Sequence, residues 1–329
     1  MNWSGRPVLV TGAGGFIGSH LTEELVRRGA RVRAFLHYRV MGERASLEWS
    51  PPEILDEIEF VSGDLRDVET VTKAVRGNTS VFHLAALIGI PYSYRSPRDV
   101  VETNGIGTLN VLQACRDAEV AQLIHTSTSE VYGTARTVPI REDHPLQGQS
   151  PYSASKIGAD HLVESFARSF GVPAVIVRPF NTYGPRQSAR AIIPTVISQA
   201  LAGKTLRLGS LDPTRDFNFV GDTAAGFIDV AASGIAGAEV FNLGTGQEIS
   251  IGELVTKVGD ILGTPLEVEL DPQRLRPAAS EVERLIADAS KARTQCGWEP
   301  RVTLDEGLRR TIEWIAAHQD TYRPAAYGV

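Results

Sequence analysis

Val8-Leu-Val-Thr-Gly12-Ala-Gly-Gly15-Phe16-Ile17-Gly18 reads as a strand, a glycine-rich turn and the first turn of a helix. Glycine at position 12 suits a tight turn. At 15 it lets backbone approach a pyrophosphate, and at 18 it lets helix and strand pack closely. Phe16 and Ile17 open the helix, whose first N–H groups would face that negative charge. Strand, turn and helix in this order are the context such a motif needs.

Outward from this turn, short apolar runs alternate with amphipathic stretches. Strands are predicted over 7–10, 31–36, 59–62, 80–84, 122–126, 174–178 and 240–243. Helices are predicted over 19–28, 67–75, 97–118 and 152–170. This alternation predicts an α/β protein with a doubly wound parallel sheet, the Rossmann fold. Two segments break the pattern. Residues 181–220 are rich in Gly, Pro and Arg around a helix at 193–202. Residues 247–329 begin with a helix opened by Ser250 and end with one at 304–318. We expect a dinucleotide-binding domain from 1–180 plus 221–246. A smaller interleaved α/β substrate domain would then come from 181–220 plus 247–329. The stretch 38–57 is polar and lacks periodicity, and is expected to be a loop.

The chain has 329 residues, 42% of them hydrophobic, with a net charge of −6. The acidic balance argues against a nucleic-acid partner. Cys115 and Cys296 stand far apart, with no metal-like spacing, so no metal is expected and both thiols are read as reduced. No apolar run approaches a membrane span of roughly 20 residues, and the first residues lead straight into a strand. A cytoplasmic protein with no membrane partner is expected.

The acidic residue that commonly binds the cofactor ribose should end the second strand. That position reads Leu36-His37-Tyr38-Arg39. No Asp or Glu stands there, which weakens the case for NAD and opens NADP, since Arg39 or Arg44 could meet a 2′-phosphate; the expected cofactor is NAD, with NADP possible, tightly bound and regenerated. Asp64, after the third strand, could accept from the adenine amino group.

Tyr152 stands four residues before Lys156, which puts both side chains on one helix face. An ammonium beside a phenol favours phenolate, and such a tyrosine can take a proton from an alcohol while hydride leaves the carbon. Ser127-Thr-Ser-Glu130 adds a separate carboxylate. His83 and His125 lie in or beside apolar strands and are read as core histidines.

These motifs, with Leu84-Ala-Ala86, Asn104, Gly107-Thr-Leu-Asn110, Arg178-Pro-Phe-Asn-Thr-Tyr-Gly-Pro-Arg186, Arg215-Asp-Phe and Arg276-Pro, resemble the extended short-chain dehydrogenase/reductase family of nucleotide-sugar enzymes. The likeness covers nearly the whole chain. Ile90-Pro-Tyr-Ser-Tyr94, Ser150 to Asp160 and Pro185-Arg-Gln-Ser-Ala-Arg190 resemble, more narrowly, NDP-N-acetylhexosamine 4,6-dehydratases of the legionaminic-acid type.

The resemblance implies that Gly12, Gly15, Phe16, Ile17 and Gly18 hold the cofactor, with Asp64 and Leu65 at adenine. Leu84, Ala85 and Ala86 would line the nicotinamide side, with Asn104 in the same set. Tyr152 would be the base on the sugar 4-hydroxyl. Thr128 would bond that hydroxyl, while Lys156 would hold the ribose and lower the tyrosine pKa. Asn181, Arg190, Arg215 and Arg276 would bind the nucleotide-sugar substrate. A homodimer through a four-helix bundle is also implied.

Glu130 separates related chemistries, because a 4-epimerase has no need of it. A 4,6-dehydratase must take the C5 proton, made acidic by a transient 4-ketone, and expel the C6 hydroxyl. Many dehydratases carry Asp before this Glu. Here Ser129 stands there, as in GDP-mannose dehydratases, so Glu130 itself becomes the candidate leaving-group acid. The expected function is thus an NDP-hexose 4,6-dehydratase on UDP- or GDP-N-acetylglucosamine. A 4-epimerase remains an alternative. So does a UDP-glucuronate decarboxylase, which would need Arg186, Arg190 or Arg215 as a cation for the C6 carboxylate.

Overall fold

A computed structural model describes residues 1–37, 44–203, 205–275 and 277–322. Its centre is a seven-stranded sheet in the order Glu239–Leu243, Ala174–Pro179, Gln122–Thr126, Ser80–His83, Pro7–Thr11, Arg31–His37, Ile58–Gly63. Every pairing is parallel. The strand order reverses between Pro7–Thr11 and Ser80–His83, and ligands bind beyond the strand ends at such a switch point.

Both sheet faces are covered, which explains the near-continuous apolar runs of the strands. Period-two alternation sends Val8, Val10, Phe82, Ile124, Val175 and Val177 into one apolar cluster. Leu9, Val81, Leu123 and Ile176 go into the other. The first cluster is closed by the helices Phe16–Arg27 and Val220–Ala232. Closing the second are Val68–Val75, Gly107–Asp117 and Pro151–Phe170. A third cluster joins the helices Ile192–Leu201, Ile251–Leu262 and Leu304–Ala317, and Phe16 and Ile17 pack against it from the glycine turn.

Two expectations need correction. Within the stretch read as a loop, Ala45–Trp49 and Pro52–Leu55 form short helical turns. Leu47 and Ile54 are buried with Leu21 and Leu25 of the first helix, so tertiary burial supplies the order that local periodicity does not. Residues 38–43 of that stretch lie outside the described residues. The helix expected over 97–118 is three pieces: Pro97–Val101, a widened π turn Glu102–Ile106, and Gly107–Asp117. The widening comes where Asn104 is buried and where Thr108 Oγ1 donates to the Asn104 carbonyl at 2.6 Å. A short helix, Ile90–Arg95, follows the fourth strand and was not expected.

Candidate active site

The glycine turn is shaped by what a side chain would strike. Gly12 has φ +72, and a Cβ there would stand 2.7 Å from the Ala85 nitrogen. A Cβ on Gly18 would lie 2.1 Å from the Gly12 carbonyl oxygen. Gly15 caps the first helix without a side-chain bond, leaving its N–H groups to a ligand. Thr11 Oγ1 accepts from the Ala85 N–H at 3.2 Å, tying the two strand ends that flank the switch point. This backbone-lined cradle, with half-buried Leu84, Ala85 and Ala86 beside it, fits a dinucleotide.

Asn104 is buried against the segment that follows the fourth strand. Its amide donates to the Leu87 carbonyl and to Ser155 Oγ and accepts from the Leu87 N–H, and it is 1% exposed. It holds Leu87 in place, and with it the segment expected at the cofactor. Leu65 is also a core residue, packed on Gly107, with its carbonyl bonded by Asn110 Nδ2. Asp64 is paired with Arg66, whose Nη2 lies 2.6 Å from Oδ2, and Arg66 reaches on to Asp99. The guanidinium of Arg44 lies over the Phe60 ring at 4.6 Å. Arg39 lies outside the described residues.

The acid/base groups come from two neighbouring elements. Ser150 caps the helix Pro151–Phe170 through a capping box with Ser153. Tyr152 and Lys156 follow on its inner face, both buried. From the end of the fifth strand, Thr128 caps the short 3-10 helix Ser129–Tyr132 by accepting from the Glu130 N–H at 3.2 Å. The Thr128 side chain and the Glu130 carboxylate are both close enough to act on the Tyr152 phenol. Thr128, Glu130, Tyr152 and Lys156 are therefore brought together. Ser129 is buried at the start of the 3-10 helix. Among the described residues, Glu130 has no ion-pair partner and no hydrogen bond through its carboxylate.

Electrostatics in this pocket differ from expectation in one respect. Burial pushes the Tyr152 phenol above its ordinary value. The Thr128 side chain pulls it down, and the Glu130 and Asp160 charges push it up again. Lys156 is not among these influences; its charge acts on Asp160, His83 and His125. Burial lowers the Lys156 ammonium to about 8, opposed by Asp160. The buried histidines are held neutral, His125 at about 4, by burial and by Lys156. His83 bonds Thr11 and Thr108 through its two ring nitrogens at 2.8 and 3.0 Å. Asp160 has no role in the sequence reading, though its i+4 spacing from Lys156 placed it on the same helix face.

The residues expected at the substrate come from separate elements. Asn181 begins the strand Asn181–Tyr183, and its Oδ1 is a buried acceptor with no donor. Arg215 is buried and reaches Glu281 at 3.3 Å. Arg190 is exposed, and Arg276 lies outside the described residues. Arg186 is sealed away, ion-paired with Glu23 at 2.6 Å beneath Trp314.

A doubly wound sheet with a glycine cradle at its switch point and a Tyr-Lys helix beside a free carboxylate defines the nucleotide-sugar branch of the short-chain dehydrogenase/reductases. The chain belongs to the GDP-mannose 4,6 dehydratase family, whose family model matches residues 9–311. It is 35% identical to the UDP-glucose 4-epimerase of Mycolicibacterium smegmatis, over 93% of this chain and 97% of that protein. It is 34% identical to the dTDP-glucose 4,6-dehydratase of Xanthomonas campestris, over 94% of this chain and 93% of that protein. The dTDP-glucose 4,6-dehydratase of Streptomyces venezuelae, solved with NAD bound, superposes with a TM-score of 0.86 at 32% identity, covering 97% of this chain and 99% of that one. The protein is therefore an enzyme of the nucleotide-sugar dehydratase and epimerase type. Among the described residues, no helix is long and apolar enough to cross a membrane.

Proposed function

We propose that this enzyme is an NAD-dependent nucleotide-hexose 4,6-dehydratase that converts its substrate to a 4-keto-6-deoxy sugar. The observation that carries this reading is Glu130. A buried carboxylate serving only structure is compensated by a cation or by hydrogen bonds. This one has no such partner among the described residues, is half-buried, and acts on the Tyr152 phenol.

NAD, when bound in the glycine cradle, supplies the acceptor and later the donor of hydride. Tyr152 takes the proton of the sugar 4-hydroxyl as that carbon is oxidised, with Thr128 orienting the hydroxyl. The resulting ketone acidifies C5, and Glu130 removes that proton. The C5 electron pair forms the C5–C6 double bond as the C6 hydroxyl departs, and protonated Glu130 returns its proton to make water. The proton that Tyr152 took returns to C5, and the hydride that NAD would hold would go to C6 to complete the product. Ser129 offers no acid for the leaving group, so Glu130 takes both duties.

The preference for an N-acetylated hexose rests on the sequence likeness of residues 90–94, 150–160 and 185–190. The 4-epimerase reading has support from the Mycolicibacterium smegmatis relative. The decarboxylase reading has less, since Arg186 and Arg215 are held by Glu23 and Glu281 and Arg190 is exposed. Mass spectrometry of products from UDP-, GDP- and dTDP-linked glucose and N-acetylglucosamine tests the proposal. Loss of one water is expected; a new sugar of unchanged mass would make the enzyme an epimerase.

We also propose a two-fold dimer through the helical segment 97–117 and the Tyr152 helix. Val101 and Ile106, each 49% exposed, give the first of these an apolar outer face. Sedimentation showing only monomer would refute it.

A further inference from the structure

Asp160 is wholly buried, one helical turn beyond Lys156 and two beyond Tyr152. A buried carboxylate is costly unless its surroundings compensate it. Three elements do so. Ser127 Oγ donates to Oδ2 at 2.8 Å from the end of the fifth strand. Arg178, on the neighbouring strand, donates to the same oxygen through Nη2 at 2.9 Å and Nε at 3.2 Å. His125 Nε2 stands 3.4 Å from Oδ1 without the direction of a hydrogen bond, so Oδ1 keeps no donor.

The groups acting on Lys156 and acted on by it are few. Asp160 lies on its own helix, and His83 and His125 lie on the two strands beneath, both neutral. Arg178 acts on Asp160 from the next strand, while Glu130 and Asp160 both act on Tyr152. Asp160 is therefore the carboxylate that acts on Lys156, from one helical turn away and without a direct ion pair. The same carboxylate, through Ser127, grips the residue from which the Thr128–Glu130 turn departs.

We propose that Asp160 is a positioning residue of the hydride-transfer chemistry. Its bond to Ser127 anchors the turn that carries Thr128 and Glu130, and it sets a negative charge one helical turn from Lys156. This rests on Tyr152 and Lys156 serving sugar oxidation, which dehydratases and epimerases share.

The experiment follows nicotinamide absorbance after mixing NAD-loaded enzyme with UDP-N-acetylglucosamine or dTDP-glucose across pH. In Asp160→Asn, the alkaline limb of the hydride-transfer rate should move down by about one to three pH units, the usual effect of losing an adjacent opposite charge. The rate at about pH 8 should fall on the order of tenfold as the ammonium loses its proton. Ser127→Ala should slow the reaction and leave the limb in place. Unchanged limbs in a folded Asp160→Asn enzyme overturn the proposal. Should that variant not fold because Arg178 is left unpaired, Asp160→Asn with Arg178→Met removes both charges, and the same shift is expected.

A second readout needs no turnover. The unfolded lysine titrates near 10.5 and the folded one at about 8, so wild-type stability should rise with pH between those values. In the variant that rise should begin at lower pH, and an unchanged onset counts against Asp160. A product of unchanged mass would end the dehydratase reading yet leave the hydride-transfer test intact. Wild-type enzyme that transfers hydride from neither sugar leaves the unfolding measurement to decide.

Discussion

The glycine turn and the Tyr152 face lie on the same edge of the sheet and work in opposite ways. At the turn, backbone does the binding and side chains are excluded: a single Cβ on Gly12 or Gly18 would run into main-chain atoms. At the Tyr152 face, backbone is only a support and the chemistry lies in protons on four side chains. The first region is tuned by shape, which depends on neighbours in sequence and one adjacent strand. The second is tuned by charge, which depends on every buried group within several ångströms.

That contrast sets what each substitution should do. Tyr152→Phe removes one oxygen and should cost about a hundredfold or more in turnover, the scale of acid/base catalysis. Its melting temperature should stay near wild type, since what is lost is one polar contact, with Thr128. A larger effect on stability than on rate would break the distinction between the regions.

Glu130→Gln sharpens it within the catalytic face. Water loss should fall by about a hundredfold or more, while isotope exchange of hydride at the sugar C4 persists. Retained dehydration would remove Glu130 from the C5 step.

Gly18→Ala should act the other way, through shape. The added methyl meets the Gly12 carbonyl and should destabilise the fold by about 1–3 kcal/mol, the range for overpacking. It should also weaken NAD retention, both readable by denaturant unfolding and by cofactor released from the purified enzyme. Normal stability with normal NAD content would show that the turn has slack.

The smallest effect concerns pH. His125 titrates at about 4 when folded and near 6.5 when unfolded, because burial disfavours its charged form. The unfolded chain takes up the proton first. Stability should be complete above about 6.5 and decline as pH falls from there toward 4. His125→Asn should flatten part of that decline in a melting series.

Legibility in the sequence follows the same division. The seven sheet strands could be read because each is a short apolar run ended by turn residues, buried on both faces. The strand Gln122–Thr126 matches its predicted bounds, and the Tyr152 helix differs by one residue. Boundaries failed where order comes from distant partners. Leu47 and Ile54 gain structure only by packing on the first helix, and the π turn at Asn104 serves the loop after the fourth strand. That Asn104 ties down Leu87 could not be read, because its partners, Leu87 and Ser155, are far from it in sequence.

By itself the amino-acid sequence determined the parallel sheet, the glycine cradle and the Tyr-Lys pair, because each follows from local spacing and steric freedom. Only the tertiary structure decided which charges meet. Among the described residues it left Glu130 without a cation, closed Arg186 onto Glu23, and set Asp160 against Ser127 and Arg178. The reason is physical: covalent geometry and periodicity act over a few residues. Burial and Coulomb forces act through space, between elements that the chain brings together only when it folds.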